Sequence, residues 1–480
     1  MARWFKTVAS SFLFAVSASA QQTAENGPPL TDRERILLER IDKLEQRVAA
    51  LENQRSSEKA AITSRRDPGP SSTPSSGSVE TSSLSAPASV PNQAGSNNAP
   101  ANSTPPLTFA NGTTLNFLLD GYYSYNFNDP IGRTNLLRAY DVSSNAFSLN
   151  QAVLLIENAA DPSEGRRFGL RLDFQYGQAT ETLQGNPANE PRPGIYRNVF
   201  QAYGTYVVPV GKGLTLDFGK FASSLGVEGN YTKDQMNYSR SYWFNFLPFY
   251  HMGIRANYKF TDKFGLNYWI VNGTQQTEAF NGFKDQFFGL AFQPSKTLTW
   301  NANYYLGQEH PDVIFYPNGG APPGLPALQG VPFQPIPNAP NGKLHIFDTY
   351  LTWQATSKLT FAAEADYVVE RLWSYSAPSH TDGGAAYLKY QISPKVFLAG
   401  RAEYLSDRGG LFSGVSQALK ETTFTTGYQV APGFLMMGEW RRDFSNQPFF
   451  LTSTLGLLKK EQNTATLGMT WWFGGKQGNW

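Results

Sequence analysis

The sequence predicts an all-β fold: a 16-stranded antiparallel transmembrane β-barrel, preceded by a short coiled-coil helix and a disordered linker. Three observations predict it. The chain has 34 Phe, 24 Tyr and 10 Trp, and none of them lies between residues 15 and 108. After residue 108, apolar and polar residues alternate with a period of two, which is typical of strands with one apolar and one polar face. The connections in that region are alternately short and long. We therefore divide the chain into segments 1–20, 21–55, 56–107 and 108–480.

The overall composition excludes several classes of protein. The chain has 40 basic and 38 acidic residues, so it lacks the basic surface of a nucleic-acid-binding domain, and we expect no nucleic-acid partner. The mean hydropathy is −0.39, and no run of 18 apolar residues occurs, which excludes a bundle of transmembrane helices. The absence of cysteine excludes disulfides, thiolate metal sites and cysteine nucleophiles. We expect no cofactor.

Residues 1–20 have the pattern of a secretory signal peptide. Arg3 and Lys6 precede an apolar stretch at 8–16, and Ala18-Ser19-Ala20 is a small-residue cleavage pattern. The alternative, a short buried helix, would leave the flanking charges and this spacing unexplained. We expect cleavage after Ala20. No stop-transfer helix follows, so the exported chain is either soluble or inserted as a barrel.

Residues 21–55 are predicted to contain a periplasmic coiled-coil helix. Thr31 and Glu34 form a capping box, and the helix is too short to be stable alone in water, since about 20 residues is marginal. Segments 40–45 and 47–52 repeat an Arg-apolar-x-x-apolar-Glu pattern similar to that of short parallel three-stranded coiled coils. We therefore expect a homotrimer, although β-branched a positions with Leu at d favour a dimer, and a lone amphipathic helix lying on a surface is a further alternative. The predicted coiled-coil core consists of Leu37, Ile41, Leu44, Val48 and Leu51.

Residues 56–107 are rich in Ser, Pro, Ala, Asn and Gly and have few large apolar side chains. Such a segment cannot bury enough apolar surface to offset the entropy of ordering. The sequence therefore predicts a disordered linker between the helix and the barrel.

The barrel strands are predicted from alternation. In the first, Leu115, Phe117 and Leu119 occupy odd positions, while Asn116 and Asp120 occupy even ones. Segments of this kind have about the nine to eleven residues that a tilted membrane strand needs. The sixteen predicted strands are 114–127, 146–158, 166–176, 196–208, 214–221, 252–260, 264–271, 286–293, 297–306, 345–354, 359–370, 385–392, 396–405, 420–430, 434–443 and 463–473.

The connections between these strands indicate a membrane barrel rather than a soluble sheet. Compact turns follow the even-numbered strands, while longer stretches follow the odd-numbered ones and are longest at 222–251 and 307–344. Outer-membrane barrels have this alternation, with an even number of strands and both termini in the periplasm. Lipid would also cover aromatic strand faces that would aggregate in water.

Three segments carry a resemblance to a known family: LDGYY at 119–123, DFGKFASSLGVE at 217–228 and WWFGG at 471–475. Over roughly residues 108–480, the chain resembles the outer-membrane β-barrel porins of the OmpL-like type in Gram-negative bacteria. The N-terminal helix is similar to the periplasmic helices that precede some trimeric porins. The resemblance implies a barrel in the bacterial outer membrane, in contact with its lipid, with the coiled coil in the periplasm.

Sixteen strands are wide enough to enclose an aqueous channel, so we expect passive diffusion of small hydrophilic solutes. The alternation places seven basic and nine acidic residues on the inner face, which predicts weak selectivity, on the cation side. Some of them are expected to be cross-strand pairs in the wall. The predicted pore-lining residues are Asp120, Arg167, Arg171, Asp173, Asp217, Arg255, Lys259, Asp348, Glu364, Asp366, Glu370, Lys389, Arg401, Glu403, Glu439 and Arg441.

The long connection 222–251 is the candidate constriction, because the resemblance to trimeric diffusion porins implies an inward-folded third loop. Its candidate residues are Glu228, Lys233, Asp234 and Arg240. Opposed charges across a narrow gap would create a transverse field that orients polar solutes. The alternative is a loop that packs on a neighbouring subunit. The proline-rich connection 307–344 is given no role.

No catalytic site or metal site is predicted. The four His residues are isolated in the sequence, and the EHPD segment at 309–312 is more typical of a solvated loop than of a metal site. No G-x-S-x-G, phosphate-loop or H-E-x-x-H motif occurs, which makes an outer-membrane hydrolase the least favoured alternative. A second alternative is an envelope-anchoring barrel whose coiled coil binds a periplasmic partner or the cell wall.

Overall fold

A computed structural model describes residues 112–183, 190, 193–315, 333–476 and 479–480. The chain divides into two units, Met1–Ala101 and Asn102–Trp480, and every described residue belongs to the second. The predicted signal peptide, coiled coil and linker therefore lie outside the described residues. In the part of the chain that the structure describes, no helix is long and apolar enough to cross a membrane.

The described residues form a closed antiparallel barrel of sixteen strands, which confirms the predicted barrel. Each strand pairs with its neighbour in the sequence, and the last strand pairs with the first, Phe117 standing opposite Phe473. Two small hairpins, β10–β11 and β18–β19, lie in long connections outside the barrel order. The strands are β1 (Thr113–Asn126), β2 (Ala146–Asn158), β3 (Phe168–Tyr176), β4 (Val199–Val208), β5 (Leu214–Ala222), β6 (Tyr250–Lys259), β7 (Phe264–Val271), β8 (Asp285–Ser295), β9 (Leu298–Gly307), β10 (Val313–Phe315), β11 (Phe333–Pro335), β12 (Leu344–Gln354), β13 (Leu359–Glu370), β14 (Ser379–Ser393), β15 (Val396–Arg408), β16 (Gln417–Ala431), β17 (Phe434–Ser445), β18 (Phe450–Leu451), β19 (Leu458–Lys459) and β20 (Glu461–Gly474).

Alternation along the strands separates an apolar outer face from a largely polar inner face. On β16, Phe424 is 63% exposed, while the neighbouring Thr423 and Thr425 are buried inside the barrel. Aromatic residues pair across strands on the outer face: Phe434 stacks on Trp471 with ring centroids 4.7 Å apart. A lipid environment stabilises such a face, whereas water would not.

Helices occur only in the connections of the described chain. They are α1 (Gln178–Leu183), α2 (Pro193–Tyr196) and α3 (Tyr242–Phe246), with 3-10 turns at Ile131–Arg133, Pro162–Glu164 and Thr232–Asp234. We call the connection from β5 to β6, residues 223–249, the inner loop. We call the end of the barrel that carries the short connections the turn end, and the opposite end the long-loop end.

The predicted strands match the sixteen barrel strands, but several boundaries differ. The segments 385–392 and 420–430 are shorter than β14 and β16, because ladder pairing continues beyond them at residues 380–384 and 417–419. The segment 196–208 begins too early, because Pro193–Tyr196 forms a helical turn before β4.

Steric crowding explains why one position of the DFGKF segment is a glycine. Gly219, in the DFGKF segment of β5, has φ of +137°, which favours glycine. A Cβ atom there would lie 2.3 Å from the carbonyl oxygen of Ala202 on β4. Substitution would therefore push β4 and β5 apart just before the chain enters the inner loop.

Candidate channel and its inner loop

The inner loop folds into the lumen of its own barrel. Its central residues Tyr238, Ser239, Arg240 and Trp243 are almost fully buried, and they contact the inner faces of strands on several sides. Locally, Ser241 caps α3 by accepting a hydrogen bond from the backbone N–H of Phe244 (2.9 Å). This placement is what a constriction requires.

The first half of the loop is bonded to β1, β2 and β3. The Thr232 hydroxyl donates to a carboxylate oxygen of Asp120 (2.9 Å), and its backbone N–H donates to Gln151 (3.2 Å). The Asn230 amide donates to Gln175 (2.8 Å). These bonds fix the 3-10 turn Thr232–Asp234 against the wall where β1 closes the barrel.

Two buried arginines hold the second half of the loop against β15, β16 and β17. Arg401 pairs with Glu228 of the loop (2.8 Å) and with Glu421 of the wall (3.0 Å), and it donates to the carbonyl oxygen of Ser239 (2.7 Å). Arg441 pairs with Asp443 (2.8 Å) and donates to the carbonyl oxygen of Arg240 (2.5 Å). Charge-assisted bonds of this kind are about twice as strong as neutral ones.

Wall carboxylates also accept backbone N–H groups of the loop. Glu439 accepts those of Tyr238 (2.7 Å) and Ser239 (3.0 Å), and Glu403 accepts that of Tyr242 (2.8 Å). Farther around the barrel, Asp348 accepts the N–H of Gly226 (3.1 Å) and Glu364 that of Val227 (2.8 Å). The loop is therefore attached to the wall in three sectors, so its position is set by the barrel.

Burial changes the acid–base behaviour of phenols in the loop. The hydroxyl of Tyr242 donates to Asp443 (2.8 Å), and that of Tyr238 donates to Asp120 (3.3 Å). Burial raises the pKa of Tyr238 and Tyr242 well above the ordinary value of a phenol, and the nearby carboxylates act in the same direction. Both phenols therefore remain protonated over the usual pH range.

The predicted pore-lining residues all lie at inward-facing positions, but they differ in access to solvent. Five remain at least partly exposed: Arg167, Arg255, Lys259, Glu370 and Lys389. The other eleven are buried, most of them beneath the inner loop or in contacts within the wall. The count of seven basic and nine acidic inward-facing residues therefore differs from the count of charges that are exposed to a solute in the lumen. The buried group is Asp120, Arg171, Asp173, Asp217, Asp348, Glu364, Asp366, Arg401, Glu403, Glu439 and Arg441.

The four constriction candidates do not face one another across an open gap. Glu228 pairs with Arg401 of the wall, and Lys233 pairs with the adjacent Asp234 (2.7 Å). Arg240 is buried, with its guanidinium 4.9 Å from the ring centre of Tyr140. Three of the four charges are therefore in ion pairs and the fourth is buried, and the transverse field expected from these residues stays a prediction.

Sequence reasoning missed two carboxylates of the arginine cluster, Glu421 and Asp443. Glu421 shares its parity with Thr423 and Thr425, so the alternation could have placed it inside. Asp443 belongs to the same inward-facing series of β17 as Arg441. It also binds Arg138 (2.7 Å), a residue of the connection between β1 and β2 that carries no inward signal in the sequence.

A cavity of about 560 Å³ lies at the long-loop end, between the inner loop and the wall. The loop residues Phe246 and Leu247 line one side, and Ile346, Val368 and Glu370 line the other. Its volume is within the range of sites that hold small molecules.

The isolated histidines make ordinary contacts. His251 is buried between the carbonyl oxygen of Gly273 (3.1 Å) and the hydroxyl of Ser223 (3.2 Å), and His310 contacts the carbonyl oxygen of Arg371 (2.8 Å). Among the described residues, no group of three or more potential ligand side chains is placed to hold a metal ion.

An apolar outer face, a closed sixteen-stranded wall and a loop folded into the lumen define the class of outer-membrane barrel channels. The chain belongs to the family described as "Putative beta-barrel porin-2, OmpL-like", whose profile matches residues 112–473. The comparison with curated proteins finds no significant match.

Solved structures of other outer-membrane proteins are similar to this chain. OmpT of Vibrio cholerae has 10% identity and a TM-score of 0.45, with 76% of this chain and 99% of that chain covered. The channel DcaP of Acinetobacter baumannii has 9% identity and a TM-score of 0.47, with 75% and 97% covered. An anion-selective porin from Comamonas acidovorans has 8% identity and a TM-score of 0.48, with 75% and 99% covered.

Proposed function

We propose that this protein is a porin through which small hydrophilic solutes cross the outer membrane by passive diffusion, with weak selectivity. The observation that carries the proposal is the inner loop, which is bonded to the wall in three sectors inside a sixteen-stranded barrel. A barrel of this size has room for water beside the loop. Because the loop is bonded to the wall, it narrows the channel but does not move to block it.

The wall supports diffusion in a second way. On its inner face, five charged side chains remain at least partly exposed and can replace part of the hydration shell of a polar solute: Arg167, Arg255, Lys259, Glu370 and Lys389. Most of these groups already have protein partners, so they do not bind solutes tightly. Weak binding at many positions allows release, which a diffusion pore needs.

We further propose that the protein functions as a homotrimer, with the short connections and the predicted coiled coil of residues 21–55 in the periplasm. The orientation follows the rule that outer-membrane barrels have short periplasmic turns. Removing residues 21–107 should lower the proportion of trimer measured by mass in detergent, because the predicted coiled coil would be lost. A proportion equal to that of the full chain would show that the barrel alone determines assembly.

The main test is electrical. The purified full-length protein, added to a planar bilayer, should produce stepwise increases in conductance, and liposomes that contain it should swell in neutral sugars at rates that fall with sugar size. The same preparation after heat unfolding serves as the control. An absence of steps from folded protein would contradict the proposal.

A further inference from the structure

The charges that remain open to solvent on the inner wall are mainly basic and lie at the turn end. Arg167 immediately precedes β3, Lys259 ends β6, and Lys389 is close to the end of β14. All three are at least partly exposed. The one exposed acid of the predicted set, Glu370, ends β13 at the opposite, long-loop end and lies 3.6 Å from His310.

None of these three cations forms a salt bridge among the described residues, while Lys259 lies near enough to Asp262 of the following turn to interact with its charge. The Arg167 guanidinium donates to the carbonyl oxygen of Val207 (3.3 Å), and the Lys389 ammonium lies 4.1 Å from the ring centre of Phe397. The other exposed base, Arg255, differs, because Asp217 lies 2.9 Å from it and compensates its charge.

Other charged residues near this end cancel in pairs. Lys476 pairs with Glu157 (2.5 Å), and Lys233 pairs with Asp234 (2.7 Å) while its ammonium lies over the ring of Trp480. The three unpaired cations therefore set the sign of the local charge on the inner wall.

The rim of the same end adds further positive charge. Five of the seven short turns carry an exposed lysine, and Asp262 pairs with only one of them, Lys212 (2.8 Å). In another turn, Glu164 pairs with Arg166 (3.2 Å). The turn lysines are Lys212, Lys263, Lys296, Lys358 and Lys395.

We propose that the turn-end mouth of the channel favours anions, so that small solutes carrying a carboxylate, sulfate or phosphate group pass more readily than cations of similar size. This inference rests on the proposed porin function and names its preferred class of solute. A mouth lined by one sign of charge concentrates the opposite ion. The acidic residues of the wall do not cancel this effect, because Glu439, Asp348 and Glu364 are buried under the loop and accept its N–H groups.

The experiment measures the reversal potential of the full-length protein in a planar bilayer across a potassium chloride gradient. We expect chloride to permeate roughly twofold or more faster than potassium at about 0.1 M salt, where the Debye length is about 10 Å. The preference should shrink at about 1 M salt, where screening acts within about 3 Å.

The triple variant Arg167→Gln, Lys259→Gln, Lys389→Gln should keep stepwise conductance and lose the chloride preference. The matched control removes three positive charges at the long-loop end, in Lys420→Gln, Lys459→Gln, Lys460→Gln, and should keep the wild-type ratio. All three control lysines are exposed: Lys420 lies on β16, Lys459 ends β19 and Lys460 follows it.

Each outcome decides something different. Steps with a potassium preference in the wild-type protein, or an equal loss of selectivity in both triple variants, would overturn the anion inference while leaving the porin function standing. An absence of steps in the wild-type protein would overturn both.

Discussion

The outer and inner faces of the barrel wall are built from the same strands, but different forces hold their side chains. On β17, Trp440 points outward and stacks against Phe424, with ring centroids 6.0 Å apart. The next residue, Arg441, points inward and binds Asp443 and the inner loop. Lipid requires only that the outer face be apolar, whereas a buried polar group on the inner face is stabilised by a specific hydrogen-bond partner. The free energy of unfolding should therefore be insensitive to a change from one apolar residue to another on the outer face. On the inner face it should depend on the identity of each residue.

The largest expected effect comes from Arg401→Ala. The substitution leaves Glu228 buried without its cation and leaves Glu421 with only Arg441, 3.7 Å away, and breaking a buried pair typically costs about 3–5 kcal/mol. The free energy of unfolding, measured by urea denaturation in vesicles, should fall by that amount.

The matched control for Arg401 is Arg442→Ala on the outer face. Arg442 pairs with Glu461, and its side chain is 47% exposed, so its loss should cost less than about 1 kcal/mol. Equal losses in the two variants would remove the distinction between the faces.

A second comparison introduces the same charge on each face of β6. Ile254→Arg places a guanidinium in lipid near the middle of the strand and should destabilise the barrel by about 2–4 kcal/mol. Asn257→Arg places it on the inner face and should change ion selectivity with little effect on unfolding. The account fails here if the inner variant is the less stable one.

A smaller effect is expected for Tyr242→Phe, which removes the hydrogen bond from the phenol to Asp443. The loss should be about 1 kcal/mol, since Asp443 keeps its two arginine partners. Tyr404→Phe on the outer face, where Tyr404 is exposed, should change the free energy of unfolding by less. A larger loss for Tyr404→Phe would argue against specific partners on the inner face.

The buried phenols also predict a pH dependence. Because burial raises the pKa of Tyr238 and Tyr242 above the unfolded value of about 10, their contribution to stability is complete below that pH and is lost as the pH rises further. Alkaline unfolding, followed by tyrosine absorbance, should be less steep in Tyr238→Phe. An unchanged slope would mean that Tyr238 ionises normally in the folded protein.

The strands of the barrel wall could be predicted from the sequence, because the alternation of residues and the length of the connections are local signals. The parity of Arg401 and Glu439 correctly placed both inside. The partners of these residues could not be predicted in the same way. Arg401 binds Ser239, which is 162 positions away in the sequence, and no local pattern encodes that contact. Glu421, which was not among the predicted residues, could have been placed inside by the same parity. The contact of Arg138 with the inner face depends instead on how the connection between β1 and β2 folds.

The same limit explains why a count of inward charges did not identify the charges that remain exposed in the lumen. Counting inward charges assumes that all of them meet the lumen, yet the inner loop covers most of the carboxylates and leaves Lys259 and Lys389 open. Which charges remain open depends on the path of the loop, and that path is fixed by contacts distant in sequence.

The most direct test of the central claim, that the inner loop narrows the lumen, is the single-channel conductance after deletion of residues 229–239. This segment includes Thr232, which bonds to β1, and Ser239, which bonds to β15, and the remaining loop still joins the adjacent strands β5 and β6. The account predicts a clear increase in conductance with the barrel still folded. A folded deletion variant with the wild-type conductance would contradict it.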